Sequence, residues 1–301
     1  MFVDGGPVRG QQHLVRFNAS DGFLVNALLL TGDVSDRRPI GERPVLLQVH
    51  GSLGHFLARG TPRLLPHALD ERGLDSLSIN TRLASCGQIS GQGVFPDTSK
   101  DIDAAVNFLT EVGFKRIFVL GYSLGASMVV HWAAQASHTK VSGLVLEGCP
   151  YSIPEHSLER SLRYGSSPSY DEVCTRARQV LGDDPYNSPN DETFVWYQSK
   201  GPTRRPDDDE IFTYKTWWFM CGPEAHGAIT HRHIGKIALP MLIMRGEADP
   251  LIANWEPDAL AATAREGGNE NVRVVSITGA HHDCMENPEA MVDEIVGLVS
   301  S

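Results

Sequence analysis

Three groups of residues, met in the order Ser, Asp, His along the chain, have the types and spacing to attack a carbonyl carbon. The first is Gly121-Tyr122-Ser123-Leu124-Gly125, which follows the apolar run Ile117–Leu120 and opens the helix-forming stretch Leu124–Ala136. A serine between strand and helix, with glycines on both sides, suits a turn too tight for flanking side chains. Such a turn exposes the hydroxyl at a helix N-terminus, where backbone N–H groups favour developing negative charge. The pattern alone also occurs in ordinary Gly-rich turns. Its strand-to-helix setting makes Ser123 the candidate nucleophile.

A serine hydroxyl is a weak nucleophile and needs a neighbouring base, itself oriented by a carboxylate. The run Met241–Met244 leads into Arg245-Gly246-Glu247-Ala248-Asp249-Pro250, which places Asp249 in the turn after a strand. Sites in parallel sheets gather at such ends, so Asp249 is the candidate acid. Glu247 reads as solvated, and Glu147, after Val141–Leu146, is the rival acid. The base should follow the last apolar run, Val272–Ile277, where Gly279-Ala280-His281-His282 supplies two histidines. Adjacent side chains in a loop point differently, so one of them serves. Counting from the strand favours His282, and counting back from Glu286-Asn287-Pro288 favours His281. The reading taken is His282, with His281 as the alternative.

Acyl transfer also needs two donors aimed at the oxyanion. One is the backbone N–H of Leu124. The other falls in His50-Gly51-Ser52-Leu53-Gly54, most simply at Ser52 with Leu53 next, and His50 reads as a buttress of that turn.

Other candidates are weaker. His226, His231 and His233 have a spacing that could suggest a metal, but without a cysteine or a clear helix face they read as solvated or pocket-lining. No metal or cofactor is expected. The cysteines Cys86, Cys149, Cys174, Cys221 and Cys284 are dispersed and odd in number, which argues against a disulfide framework and for a reducing cytoplasm. Cys86, Cys149 and Cys284 could approach the site, but buried thiols are the better reading.

These residues need elements to position them. His13–Asn18 and Phe23–Leu30 read as strands joined at Ser20-Asp21-Gly22. Thr31–Pro44 reads as a loop. Thereafter the short apolar runs Val45–Val49, Leu74–Ile79, Ile117–Leu120, Val141–Leu146, Met241–Met244 and Val272–Ile277 alternate with helical stretches. Those are Leu65–Arg72, Lys100–Val112, Leu124–Ala136, Pro257–Ala264 and Pro288–Val299. Near-continuous apolar strands alternating with helices imply a parallel sheet covered on both faces. The alternation stops at Pro150 and resumes at Leu239, so residues 1–150 and 238–301 form one core and 151–237 an inserted cap or lid. Leu158–Tyr164 and Glu172–Leu181 make the cap partly helical. Its sharpest apolar cluster is Trp217-Trp218-Phe219-Met220, and Trp217 and Trp218 are the candidate substrate contacts, although most cap aromatics read as a small satellite core. Gly201–Glu210 reads as a charged surface loop.

Composition narrows the function. Hydrophobic residues are 41% and charged residues 21%, a globular rather than disordered balance. A net charge of −11 disfavours nucleic acid and anionic membranes as partners. Met1–Gln12 lacks an apolar stretch of signal-peptide length, and no run is long enough to span a membrane. A small-molecule substrate is the expected partner, with a homodimer left open.

The chain resembles the α/β-hydrolase superfamily over Val15–Pro150 and Leu239–Val299. The carriers are His50-Gly51, Gly121-Tyr122-Ser123-Leu124-Gly125, Gly246-Glu247-Ala248-Asp249 and Gly279-Ala280-His281-His282. The leading hairpin is similar to the esterase, lysophospholipase and serine-aminopeptidase branch. The resemblance implies an eight-stranded, mostly parallel sheet, no cofactor, and a nucleophile, acid and base at Ser123, Asp249 and His281 or His282. The expected activity is hydrolysis of a carboxylic ester or lactone of a small apolar or amphipathic molecule. Amide, peptide, thioester and C–C hydrolysis and acyl transfer use the same parts, and a ligand receptor on this scaffold is the reading of another class.

Overall fold

Apolar runs too short for helices, separated by amphipathic stretches, build a sheet that must be covered twice. The computed structural model describes residues 11–32, 39–88, 93–199 and 209–300. The strands of the main sheet are β1 (Gln11–Asn18), β2 (Leu24–Thr31), β3 (Pro44–Val49), β4 (Asp75–Asn80), β5 (Arg116–Tyr122), β6 (Val141–Glu147), β10 (Met241–Gly246) and β11 (Val272–Ile277). They lie in the order β1-β2-β4-β3-β5-β6-β10-β11. β2 pairs antiparallel with both neighbours, and β4 through β11 pair parallel.

Side chains alternate between the faces of these strands. Val45, Leu47, Val119 and Ile243 join one apolar core, with Ile102 and Leu109 of α2 (Thr98–Val112), Met128 of α3 (Leu124–Ala133) and Leu260 of α8 (Glu256–Glu266). Leu46, Phe118, Leu120, Leu242 and Met244 join the other, with Leu65 and Leu69 of α1 (Thr61–Glu71) and Met291 and Ile295 of α9 (Pro288–Ser300).

β6 and β10 are parallel neighbours in the sheet, and a long stretch of chain runs between them. It holds α4 (Ile153–Tyr164), α5 (Tyr170–Leu181), α6 (Tyr214–Met220) and α7 (His231–Ile234). A second sheet of β7 (Ser166–Ser167), β8 (Thr193–Gln198) and β9 (Asp209–Thr213) completes it, with order β7-β8-β9 and antiparallel pairing. The sequence reading foresees α4 and α5 but not this sheet. Thr193-Phe194-Val195-Trp196-Tyr197 carries strand-forming residues, whose aromatics read equally as part of a small satellite core.

Other differences are local. Thr31 closes β2 and Pro44 opens β3 rather than lying in a loop. Asp209 and Glu210 start β9, where a loop was expected. Parts of three expected segments fall outside the described residues (1–10, 33–38 and 201–208), and within the expected loop Ile40–Glu42 forms a 3-10 turn. Among the described residues no helix is long and apolar enough to cross a membrane.

Candidate active site

β3, β5, β6, β10 and β11 are consecutive in the sheet and parallel, so the turns after their C-terminal ends share one edge. That single fact brings Ser52, Ser123, Glu147, Asp249 and His282 together from distant parts of the chain.

Ser123 caps the N-terminus of α3 with φ 55° and ψ −120°, a left-handed backbone that a serine adopts only under constraint. The constraint is crowding. A Cβ on Gly121 would lie 2.4 Å from the Gly125 carbonyl oxygen, and one on Gly125 would lie 2.5 Å from the Val49 and His50 carbonyl oxygens. The Ser123 amide donates to the Glu147 carbonyl at 2.8 Å, tying the turn to the end of β6.

The Ser123 hydroxyl Oγ lies 2.9 Å from His282 Nε2, and His282 Nδ1 lies 2.8 Å from Asp249 Oδ2. The other carboxylate oxygen, Oδ1, accepts from the amides of Leu251 at 2.7 Å and Ile252 at 3.1 Å. Burial pushes the Asp249 carboxyl up, but the hydrogen bond and charge of His282 and these two amides outweigh it and hold the group below its ordinary range. A carboxylate so placed fixes the histidine with its Nε2 lone pair toward the serine hydroxyl. His281 turns the other way. Its side chain is 60% exposed, and Nδ1 lies 2.8 Å from Glu286 Oε1. The structure therefore places His282, not its neighbour, against Ser123.

The turn His50–Gly54 is equally ordered. His50 is buried, with Nδ1 donating to the Gly51 carbonyl at 2.8 Å and Nε2 accepting from the Thr81 amide at 3.2 Å. Burial lowers the His50 pKa to about 4, which keeps the ring neutral and able to play both parts. The Leu53 amide is occupied by the Cys86 carbonyl at 3.2 Å. Among the described residues the Ser52 and Leu124 amides donate to no protein group.

Two residues of this edge were missed or differently weighted in the sequence reading. Arg245 is buried at the end of β10, donating to the carbonyls of Ile252 at 2.8 Å, Glu247 at 3.1 Å and Asp249 at 3.0 Å. It clamps the loop that carries the acid. The signal was a lone arginine inside the apolar run Met241–Gly246, since a buried guanidinium needs several acceptors.

Glu147, the rival acid, does not reach His282. It is fully buried, and Oε1 lies 2.7 Å from the Thr61 hydroxyl, which also lies 2.8 Å from the Asp283 carbonyl. The Thr61 hydroxyl proton is shared between these two acceptors. Burial raises the carboxyl well above its ordinary range; the Thr61 contact opposes the shift, and the charges of Asp283 and Asp249 add to it.

The remaining candidates lie elsewhere. Trp217 and Trp218 are buried at 0% and 3% exposure, Trp217 meeting Trp196 edge-on at 5.5 Å and Tyr170 at 5.2 Å. The structure places them in the apolar core that also holds Leu47, Val119 and Met128, and among the described residues neither makes a hydrogen bond or ring contact with Ser123, His282 or Asp249. His226 pairs with Glu224, His231 stacks on Tyr151 at 4.2 Å, and His233 Nε2 lies 2.9 Å from the His226 carbonyl. Among the described residues no His, Cys, Asp or Glu cluster could hold a metal ion. All five cysteines are free and buried, and burial pushes the Cys86, Cys149 and Cys284 thiols up.

A parallel sheet of this order, carrying a serine on a strained turn after β5, defines an α/β hydrolase. The family model described as serine aminopeptidase, S33 (Hydrolase_4) matches residues 45–289, and the chain belongs to that family. Solved structures share the fold at low identity. An esterase of Pyrococcus furiosus is 14% identical with a TM-score of 0.63, covering 97% of this chain and 92% of its own. A hypothetical protein of Pseudomonas aeruginosa is 17% identical with a TM-score of 0.69, covering 100% and 98%. Est1E from Butyrivibrio proteoclasticus with ferulic acid bound is 18% identical with a TM-score of 0.62, covering 95% and 100%.

Proposed function

We propose that this hydrolase cleaves a carboxylic ester or lactone of a small apolar or amphipathic molecule through an acyl-enzyme. The observation that carries the reading is the hydrogen-bonded line from Ser123 Oγ through His282 to Asp249, with Nε2 at 2.9 Å and Oδ2 at 2.8 Å. His282 takes the hydroxyl proton as Ser123 Oγ bonds to the carbonyl carbon. The electron pair of the C=O bond moves to oxygen, where the Ser52 and Leu124 amides receive it. Collapse expels the alcohol, protonated by the imidazolium, and leaves the acyl group on Ser123. Water, deprotonated by the same imidazole, then releases the acid and restores the hydroxyl. Asp249 stays ionised throughout and stabilises the imidazolium. The insertion from 151 to 237 acts as a cap that excludes water and shapes the pocket. The free, buried cysteines support a reducing compartment.

Short-chain 4-nitrophenyl esters test the reading. The expected result is a burst of nitrophenol equal to the enzyme present, with an acyl mass increment on the intact chain. The family description favours a second reading, cleavage of an amide at a peptide N-terminus. Turnover of aminoacyl anilides without turnover of any ester would replace the first reading by the second.

A further inference from the structure

Ser123 and His282 lie 159 residues apart in the chain, yet Oγ and Nε2 meet at 2.9 Å. Asp249 holds the imidazole by Nδ1. That bond fixes the ring's tautomer and direction. The spacing between the base loop and the nucleophile turn falls to other contacts. They meet at two fully buried residues that the reaction above does not use, Glu147 and Thr61.

Glu147 is the last residue of β6 and pairs in register with Tyr122 of β5. Its carbonyl receives the Ser123 amide at 2.8 Å, so the nucleophile turn hangs from it. Its Oε1 lies 2.7 Å from the hydroxyl of Thr61, the first residue of α1. The same hydroxyl lies 2.8 Å from the carbonyl of Asp283, one residue past the base. A circuit therefore runs from Ser123 through Glu147, Thr61, Asp283 and His282 back to Ser123. Outside the residues themselves, each link is a hydrogen bond or a single peptide unit.

The base loop is pressed against both arms of this circuit. A Cβ on Gly148 would lie 2.9 Å from His282 Cε1, and one on Gly60 would overlap Asp283 Oδ2. Both glycines have positive φ, 55° and 79°. Glu147 Oε2 is buried with no hydrogen-bond partner, so among the described residues the Thr61 hydroxyl is the carboxyl's one anchor. Two apolar side chains of the same shape would fill this space without that desolvation cost. They would not hold the Asp283 carbonyl.

We propose that Thr61, anchored by Glu147, is a positioning residue that sets the distance from the His282 loop to the Ser123 turn. It acts through His282 and touches no substrate. This rests on the Ser–His–Asp reading and deepens it.

Thr61→Val keeps the shape and removes the hydroxyl. It is expected to lower kcat for a 4-nitrophenyl ester by about tenfold to a hundredfold, the loss that follows a small misplacement of a reacting group. KM should stay within about threefold of the parent. Fluorophosphonate labelling, which reads the Ser123–His282 contact without a substrate, should slow by a similar factor. Thr61→Ser keeps the hydroxyl and should bring both rates back to within about threefold of the parent. Position is separated from stability by the double variant Thr61→Val with Glu147→Met, which replaces both polar partners by apolar groups. Its Tm should equal or exceed that of Thr61→Val while kcat stays as low. The double variant also carries the test if Thr61→Val alone does not fold. Parent rates in folded Thr61→Val would overturn the positioning role and leave ester hydrolysis standing. So would rates that recover with Tm in the double variant, or a Thr61→Ser as slow as Thr61→Val. A parent that takes no label and turns over no ester would sink the triad and the bridge together.

Discussion

The C-terminal edge of the main sheet and the insertion above it are held together by different forces. At the edge, polar groups are fixed in pairs: Ser123 to His282, His282 to Asp249, Asp249 to the Leu251 and Ile252 amides, and the acid loop to Arg245. In the insertion, rings are packed on rings, with Phe194 stacked on Tyr214 at 4.4 Å and Trp196 edge-on to Trp217 at 5.5 Å. Hydrogen bonds between short side chains and turns fix position to a fraction of an ångström. Aromatic packing fixes volume. The lesson is that removing a group from the edge should cost activity at little cost in stability, and removing one from the insertion should do the reverse.

The largest expected effect is at His282. Replacing it with alanine should lower kcat/KM for a nitrophenyl ester by roughly a hundred-thousandfold to a millionfold, and His281→Ala should change it less than about threefold, since a ring turned toward Glu286 does no chemistry. Equal losses in the two variants would break the assignment. Next comes Trp217→Ala, which empties a fully buried site and should cost about 3–5 kcal/mol of stability. Urea unfolding reads that loss, and the folded fraction should keep a kcat within a few-fold of the parent. A kcat collapse in folded Trp217→Ala would move this ring from packing to chemistry.

The smallest effect sharpens the comparison at its boundary, where a polar group of the edge is buried as deeply as any ring. Above its ordinary pKa, glutamate is ionised in the unfolded chain, whereas Glu147 in the fold keeps its proton. The folded state then binds more protons, so this group's contribution to stability falls as pH rises toward its raised folded value. Glu147→Gln removes that dependence. Its Tm relative to the parent should therefore climb between pH 5 and pH 8, by up to about 1.4 kcal/mol per unit in free energy. A constant difference would mean that Glu147 is ionised in the fold.

The edge was legible in the sequence because tight turns restrict residue identity. Gly121 and Gly125 leave no room for a Cβ, so their spacing around Ser123 reports backbone geometry directly. The positions of Asp249 and Ser52 after strand ends were legible because apolar runs mark where strands end. His282 was preferred to His281 only by counting from the strand, since which histidine turns inward depends on Glu286 holding His281 outside. Arg245 escaped assignment and Glu147 was weighed only as a rival acid, because their partners are backbone carbonyls or a hydroxyl, Thr61, far away in sequence. The insertion stayed opaque for a related reason. The residues that make β8 and β9 strands also make lid aromatics, and only pairing across the chain tells them apart.

Labelling with a fluorophosphonate tests the central claim most directly, because the probe reports an activated serine without assuming a substrate. One label per chain is expected, located by peptide mass on the segment carrying Ser123, abolished in Ser123→Ala and strongly slowed in His282→Ala but not in His281→Ala. A folded protein that takes no label, or takes it at another residue, would contradict it.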